Sequence, residues 1–117
     1  MNKENLQSLA MEILLHAGDG RTKVLEALDK VASYDYDLAE ELINSANEDI
    51  TAAHVIHTKA LQDVALDSYS EEYSMLFTHA QDTLMTIRTE YLIAQKIIKI
   101  STSFDERIKK TEDVKNV

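Results

Sequence analysis

One stretch of the chain groups residues that could do chemistry: Thr78-His79-Ala80-Gln81-Asp82-Thr83-Leu84-Met85-Thr86. His79, Asp82 and Thr86 are spaced i, i+3, i+7, which puts them on one face of a helix. An imidazole is a nucleophile and a proton carrier near neutral pH. A carboxylate within reach can fix its tautomer and leave the other ring nitrogen free to attack. A phosphoryl group carried on that nitrogen would need hydrogen-bond donors around its oxygens, and Thr78, Gln81 and Thr83 offer hydroxyls and a carboxamide. The plainer reading is a solvated helical histidine beside an acid.

The other histidines offer less. His54 and His57 lie three apart, but a zinc site needs a third ligand at a fixed distance, and no His-Glu-x-x-His spacing is present. His57 falls on an apolar seam and is expected in the core. His54 sits beside that seam and could line a cleft with His79. His16 is expected at the surface. Gly18-Asp19-Gly20 is too short for a phosphate loop and follows no strand, and no serine–histidine–acid signature occurs. With no cysteine, disulfides, thiolate catalysis and cysteine-ligated zinc are excluded.

The elements that must position these groups are helices. The chain has 117 residues, no proline and two glycines, enough for one domain with few turns. Alternating β-branched runs are absent, so the fold class is all-α. The first helix is expected over 3–33, where Leu6, Ala10, Ile13, Ala17, Gly20, Val24, Ala27 and Val31 hold a 3-4 spacing. The register passes through Gly18 and Gly20 without a slip. One helix with a weak point or kink is therefore favoured over two short ones, and the glycines could admit a close neighbour. A second helix is expected over 37–64, capped by Asp35 or Asp37, with a seam of Leu42, Ala46, Ile50, Ala53, His57, Ala60 and Val64. A third is expected from 70 to 101 or slightly beyond, opened by Ser68 or Ser70, with Ser68 and Glu71 matching a capping box. Its seam is Tyr73, Phe77, Ala80, Leu84, Ile87, Tyr91, Ala94 and Ile98. The division is thus an antiparallel three-helix domain over 1–104 and a charged C-terminal tail over 105–117. The tail is expected to be frayed or disordered, although Phe104 and Ile108 could continue one face.

The third helix carries a second stripe at the same spacing: Met75, His79, Asp82, Thr86, Thr89, Ile93 and Ile97, with Ile100 close by. A surface helix of a monomer needs only one apolar face. An interface between symmetric copies would look like this stripe, apolar at its ends and polar at its centre. On a three-fold axis, three Asp82 carboxylates would converge and repel unless a cation or protons neutralised them. Oxygen ligands of that kind suit magnesium.

The formal charge of −9 disfavours nucleic acid and anionic membranes and allows a partner with a basic docking face. The first residues lack the pattern of a signal peptide, and no apolar run approaches the roughly 20 residues of a membrane span. A cytoplasmic location is expected, with no direct membrane insertion.

Three blocks carry a family resemblance that extends over about residues 11–100: Ala17-Gly18-Asp19-Gly20-Arg21-Thr22-Lys23; Ala46-Asn47 with Ala53-His54 to Thr58; and His79-Ala80-Gln81-Asp82 followed by Leu84-Met85-Thr86. The chain resembles the IIA component of the lactose/cellobiose (chitobiose) branch of the bacterial sugar phosphotransferase system. The resemblance implies a homotrimer of three-helix subunits. It implies that His79 accepts a phosphoryl group, through Nε2, from the phosphohistidine of the carrier HPr. His79 then passes the group to a cysteine of the IIB component, and sugar is phosphorylated as the membrane IIC component imports it. Asp82 matches the residue on the trimer axis that helps bind a divalent cation, usually magnesium, one per trimer. Gln81 matches a residue that shapes the site, and His54 one near it. Thr83 stands where the family commonly has histidine, and His57 where it commonly has glutamine. The connection around residues 66–70 and the tail after Ile100 also depart from the family pattern. The sugar is not legible, because specificity would lie in IIC.

Two other readings compete. His54-Val55-Ile56-His57-Thr58-Lys59-Ala60 faintly resembles the motif of histidine phosphotransfer domains of two-component relays, but lacks their glycine, and four helices would be expected. The third is a helical adaptor without phosphotransfer.

Overall fold

The computed structural model describes residues 3–66 and 75–115. Helix α1 spans Lys3–Ala32, α2 Tyr36–Leu66 and α3 Met75–Lys115, an antiparallel three-helix arrangement with an overall length of 73 Å. The two long seams became the core. From α1, Leu6, Ala10, Ile13, Ala17, Val24 and Ala27 are buried, and from α3, Phe77, Ala80, Leu84, Ile87, Ala94 and Ile98. On α2 the buried line is Ala39, Ile43, Ala46, Ile50, Ala53, His57 and Ala60, all at 3-4 spacing. The expected Leu42 is only half-buried, because Ile43 and not Leu42 continues the register towards Ala39, and Val64 is half-buried at the far end. The expected caps at Ser68 and Ser70, the seam residue Tyr73 and the connection over 67–74 lie outside the described residues.

The glycine block is one continuous helix, which rules out the two-helix alternative. Gly20 is buried where α1 meets α2. A Cβ built on it would stand 2.7 Å from Ile50 Cγ1 and 3.3 Å from the Ala46 carbonyl oxygen. Small residues on both sides let the helix backbones approach, and α1 packs more closely on α2 than on α3. The same block ties the bundle together by charge. Lys23 Nζ lies 2.7 Å from Asp49 Oδ2 on α2. Arg21 grips Glu90 on α3 with two donors, Nε at 3.1 Å and an Nη at 2.6 Å. The hydrogen bond to Asp49 raises the Lys23 pKa above its ordinary value, against a weaker lowering by burial. A raised lysine favours the folded state below its unfolded pKa, so that pair is intact at neutral pH and is lost only as pH climbs past the raised value.

The α1–α2 corner closes in the pattern of a Schellman motif. Asp35 N–H donates to the Lys30 carbonyl at 2.9 Å and Tyr34 N–H to the Val31 carbonyl at 3.0 Å. Of the two expected caps Asp35 is used, its Oδ1 accepting from Leu38 N–H at 3.2 Å. Tyr34 sits at φ 66°, in the left-handed region where a side chain is strained, and its ring is exposed. Tyr34→Gly is therefore expected to stabilise the fold by about 0.5–1 kcal/mol, the relief of strain exceeding glycine's extra chain entropy. A lower midpoint in urea unfolding would contradict this.

The expected frayed tail is corrected. Helix α3 continues unbroken to Lys115. No breaker interrupts it, and Asp105 anchors it by accepting from the Tyr36 hydroxyl at the start of α2 and pairing with Lys109 Nζ at 3.2 Å. Burial and the Asp105 carboxylate together push the Tyr36 phenol pKa up, so that contact is undisturbed at neutral pH.

Candidate functional site

The first turns of α3 present two faces to two different surroundings. Phe77, Ala80 and Leu84 point into the bundle, while His79 and Asp82 stand exposed on the outer face. Gln81 lies between them, partly buried, and turns toward α2. Its Oε1 accepts a hydrogen bond from His57 Nε2 at 2.9 Å. His57 is the one buried polar side chain among the described residues, 4% exposed, and its ring stacks on Phe77 with centroids 5.7 Å apart and an interplanar angle of 21°.

With the Gln81 oxygen facing His57, the bond calls for the imidazole tautomer that carries its proton on Nε2, since an amide oxygen only accepts. The Gln81 NH2 group is left to donate elsewhere. Among the described residues α2 and α3 touch each other less than α1 touches either, and the His57–Gln81 bond joins them directly. The expectation that His57 lies in the core is met. What the sequence did not reveal is that its partner is Gln81, a pairing across 24 residues that no local spacing encodes. His57→Ala should cost about 2–3 kcal/mol, through the cavity beside Phe77 and the stranded Gln81 oxygen. His57→Gln keeps a donor at that place and should cost less than half as much. Equal losses in thermal unfolding would show that the bond to Gln81 adds nothing beyond packing.

The remaining candidates are placed more simply. His54 is exposed on α2, and no hydrogen bond joins it to His79 among the described residues. The Thr86 hydroxyl donates to the Asp82 backbone carbonyl at 2.9 Å, so it is occupied within its own helix. Thr83 is partly buried. Among the described residues of one chain, no three histidine, cysteine or acidic side chains gather as a metal site. The second stripe of α3 is open along its length. Met75 is 90% exposed, and Ile93, Ile97 and Ile100 are about half exposed. No described helix is long and apolar enough to cross a membrane.

Comparison with known proteins places this geometry. Residues 8–102 match the family described as PTS system, Lactose/Cellobiose specific IIA subunit. The lactose-specific EIIA component of Staphylococcus epidermidis is 42% identical over 88 residues, covering 74% of this chain and 82% of that protein. The lichenan-specific phosphotransferase enzyme IIA component of Bacillus subtilis is 32% identical over 107 residues, covering 92% and 96%. Among solved structures, PtcA from S. mutans superposes with a TM-score of 0.82 at 35% identity, covering 87% of this chain and 99% of PtcA. The IIA(Chitobiose) structure from Escherichia coli, solved in complex with HPr, shares the fold with a TM-score of 0.73 at 20% identity, covering 86% and 96%. With an exposed histidine on α3 beside a fixed carboxamide, on a three-helix frame shared with these proteins, the chain belongs to the lactose/cellobiose-specific IIA subunits of the sugar phosphotransferase system, phosphoryl-transfer components of sugar uptake.

Proposed function

We propose that His79 is the residue that carries the phosphoryl group, taking it from the phosphohistidine of HPr and yielding it to a cysteine of a IIB component in the cytoplasm. The observation that carries this reading is the exposure of His79 on a regular stretch of α3, two residues from a carboxamide held by His57. The HPr partnership is supported by the fold shared with the chitobiose protein solved in complex with HPr.

In the first step the Nε2 lone pair of His79 attacks phosphorus. A new N–P bond forms as the donor's N–P bond breaks, and the donor imidazole leaves. In the second step a thiolate attacks the same phosphorus. A P–S bond forms, the bond to His79 breaks, and the imidazole is restored. No atom changes oxidation state. The transition state spreads negative charge over three phosphoryl oxygens, so positioned donors and exclusion of water are the protein's main contribution. The Gln81 NH2 group, free because its oxygen faces His57, is the described donor best oriented by its surroundings. His54 is proposed to line the approach from α2. The absence of cysteine requires the thiol to come from another chain or domain.

The open second stripe of α3 is proposed to meet its own copies in a homotrimer. One chain supplies only Asp82 as an acid on that stripe, and three copies on an axis would give the clustered oxygen ligands that a magnesium ion prefers. Such an ion would offset two of the three carboxylate charges and so relieve their mutual repulsion. The sugar is selected by the IIC permease that this subunit serves indirectly.

Labelling with phosphoenolpyruvate, enzyme I and HPr tests the transfer, comparing the wild type with His79→Ala and His54→Ala. Label should vanish only in the first. A wild type that takes no label from a matched HPr would sink the reading. Sedimentation should give a trimer at micromolar concentration, and a clean monomer would overturn the assembly.

A further inference from the structure

Exposed polar side chains are ordinary on a helical bundle. Those that line one cleft between α2 and the second half of α3 differ, because they converge from two helices and leave one another unbonded. The cleft holds about 450 Å³. Its floor is Ile43 and Ile98, each 3% exposed. Its walls are Glu40 and Asn44 from α2, and Gln95, Lys99, Ser103 and Glu106 from α3. Spacings of three and four keep each set on one flank of its helix. Thr102, also in the lining, spends its hydroxyl within α3, donating to the Ile98 carbonyl at 2.8 Å.

Elsewhere in the bundle polar groups from different helices find each other: Arg21 with Glu90, Lys23 with Asp49, His57 with Gln81. In the cleft an ammonium and two carboxylates share one space, yet among the described residues no ion pair joins Lys99 to Glu40 or Glu106. The gap persists because α2 and α3 are the two helices that touch least. It is also held from below, where the Tyr36 hydroxyl bonds to Asp105. The opening is therefore built into the fold, and a guest need not create it.

The lining selects by chemistry. The carboxylates accept hydrogen bonds, Lys99 and the two carboxamides donate them, and Ser103 does both. Two acids and one base leave one net negative charge, in a chain of net −9, which disfavours a phosphate ester or another anion. The polar walls disfavour a wholly apolar guest, which would strip them of water without replacing its hydrogen bonds. A neutral molecule rich in hydroxyls meets both conditions. Its hydroxyls donate to the glutamates and accept from Lys99 and the amides, and its C–H face rests on the two isoleucines.

We propose that this cleft binds a small neutral sugar of one or two rings. The nearest lining residue of α3, Gln95, lies about 24 Å along the helix from His79, so a sugar held there stays clear of the phosphoryl group. Such binding is independent of the transfer proposed for His79.

A titration of the full-length protein with cellobiose, followed by the backbone amide resonances, tests it. Shifts should saturate with a dissociation constant of about 1 mM, as suits an open site where water competes for every hydrogen bond. They should be confined to residues 40–44 and 95–106. Asn44→Leu combined with Gln95→Leu, both at exposed positions, should weaken binding about tenfold through two lost hydrogen bonds. The same double variant should load His79 from phospho-HPr at the wild-type rate. Saturating shifts in a protein that does not load still support the cleft, so the two readings fail separately. Shifts that grow linearly without saturation, or that spread over the whole surface, overturn the proposal, as do saturating shifts centred on His79. Saturation at the cleft by putrescine but not by cellobiose assigns it to an amine held by the glutamates, and overturns the sugar.

Discussion

His79→Gln is expected to lower phosphoryl loading by at least about 10³-fold while leaving the fold intact. The two expectations follow from different observations. Glutamine keeps a polar side chain of similar length but has no nucleophilic ring nitrogen, so no N–P bond can form and the step is lost rather than slowed. The structural cost should be small because His79 is exposed and points away from Phe77, Ala80 and Leu84. Exposed substitutions of this kind stay within about 0.5 kcal/mol. Loading from phospho-HPr and thermal unfolding, measured on the same sample, check both halves. Residual loading near the wild-type rate would move the phosphoacceptor elsewhere, and His54, also exposed, would then be the residue to test. A protein that neither loads nor folds would say nothing about chemistry, which is why glutamine rather than a bulky residue is the informative choice.

Gly20→Val is expected to destabilise the bundle by about 3 kcal/mol, whereas Gly18→Ala, two residues away, should stabilise it by about 0.5–1 kcal/mol. By helix propensity alone both substitutions would help, since glycine is about 1 kcal/mol worse than alanine in a helix. Their surroundings give the opposite signs. A Cβ on Gly18 meets nothing within 4 Å. A Cβ on Gly20 falls 2.7 Å from Ile50 Cγ1, an atom bonded directly to the Ile50 Cβ and unable to swing clear without a rotamer change. Behind it lies the Ala46 carbonyl at 3.3 Å, which is backbone. Valine adds two methyl groups to that clash, and overpacking of this kind typically costs 1–3 kcal/mol. Urea unfolding at one fixed protein concentration is the proper measurement, because any oligomer makes apparent stability depend on concentration. Matching signs for the two substitutions would show that the α1–α2 approach at Gly20 is looser than the structure has it.

Much of the frame was legible because it repeats. The seams of α1 and α3 could be read residue by residue from their 3-4 spacing. Leu6, Ile13, Phe77 and Leu84 are buried because a helix turns at a constant rate and an apolar stripe must face a neighbour. The register through Gly18 and Gly20 correctly indicated one helix. The tail was misread for a related reason. Its dense charges suggested disorder, but Asp105 spends its carboxylate on Tyr36 and Lys109, and nothing in 101–115 breaks a helix.

The site was legible only in part. His79 and Asp82 were visible as a same-face pair, because i to i+3 is a local relation, and their exposure follows from the same periodicity that buries Ala80 and Leu84. The sequence by itself thus determined the helices, their buried faces, the outward placement of the imidazole and the presence of a second stripe. Only the tertiary structure decided that His57 holds Gln81, that Arg21 reaches Glu90, and that Gly20 is indispensable where Gly18 is not. Those facts depend on which residues of α1, α2 and α3 come level with one another when the helices pack. That alignment is set by the fit of side chains along the whole bundle, and no spacing within a single helix encodes it.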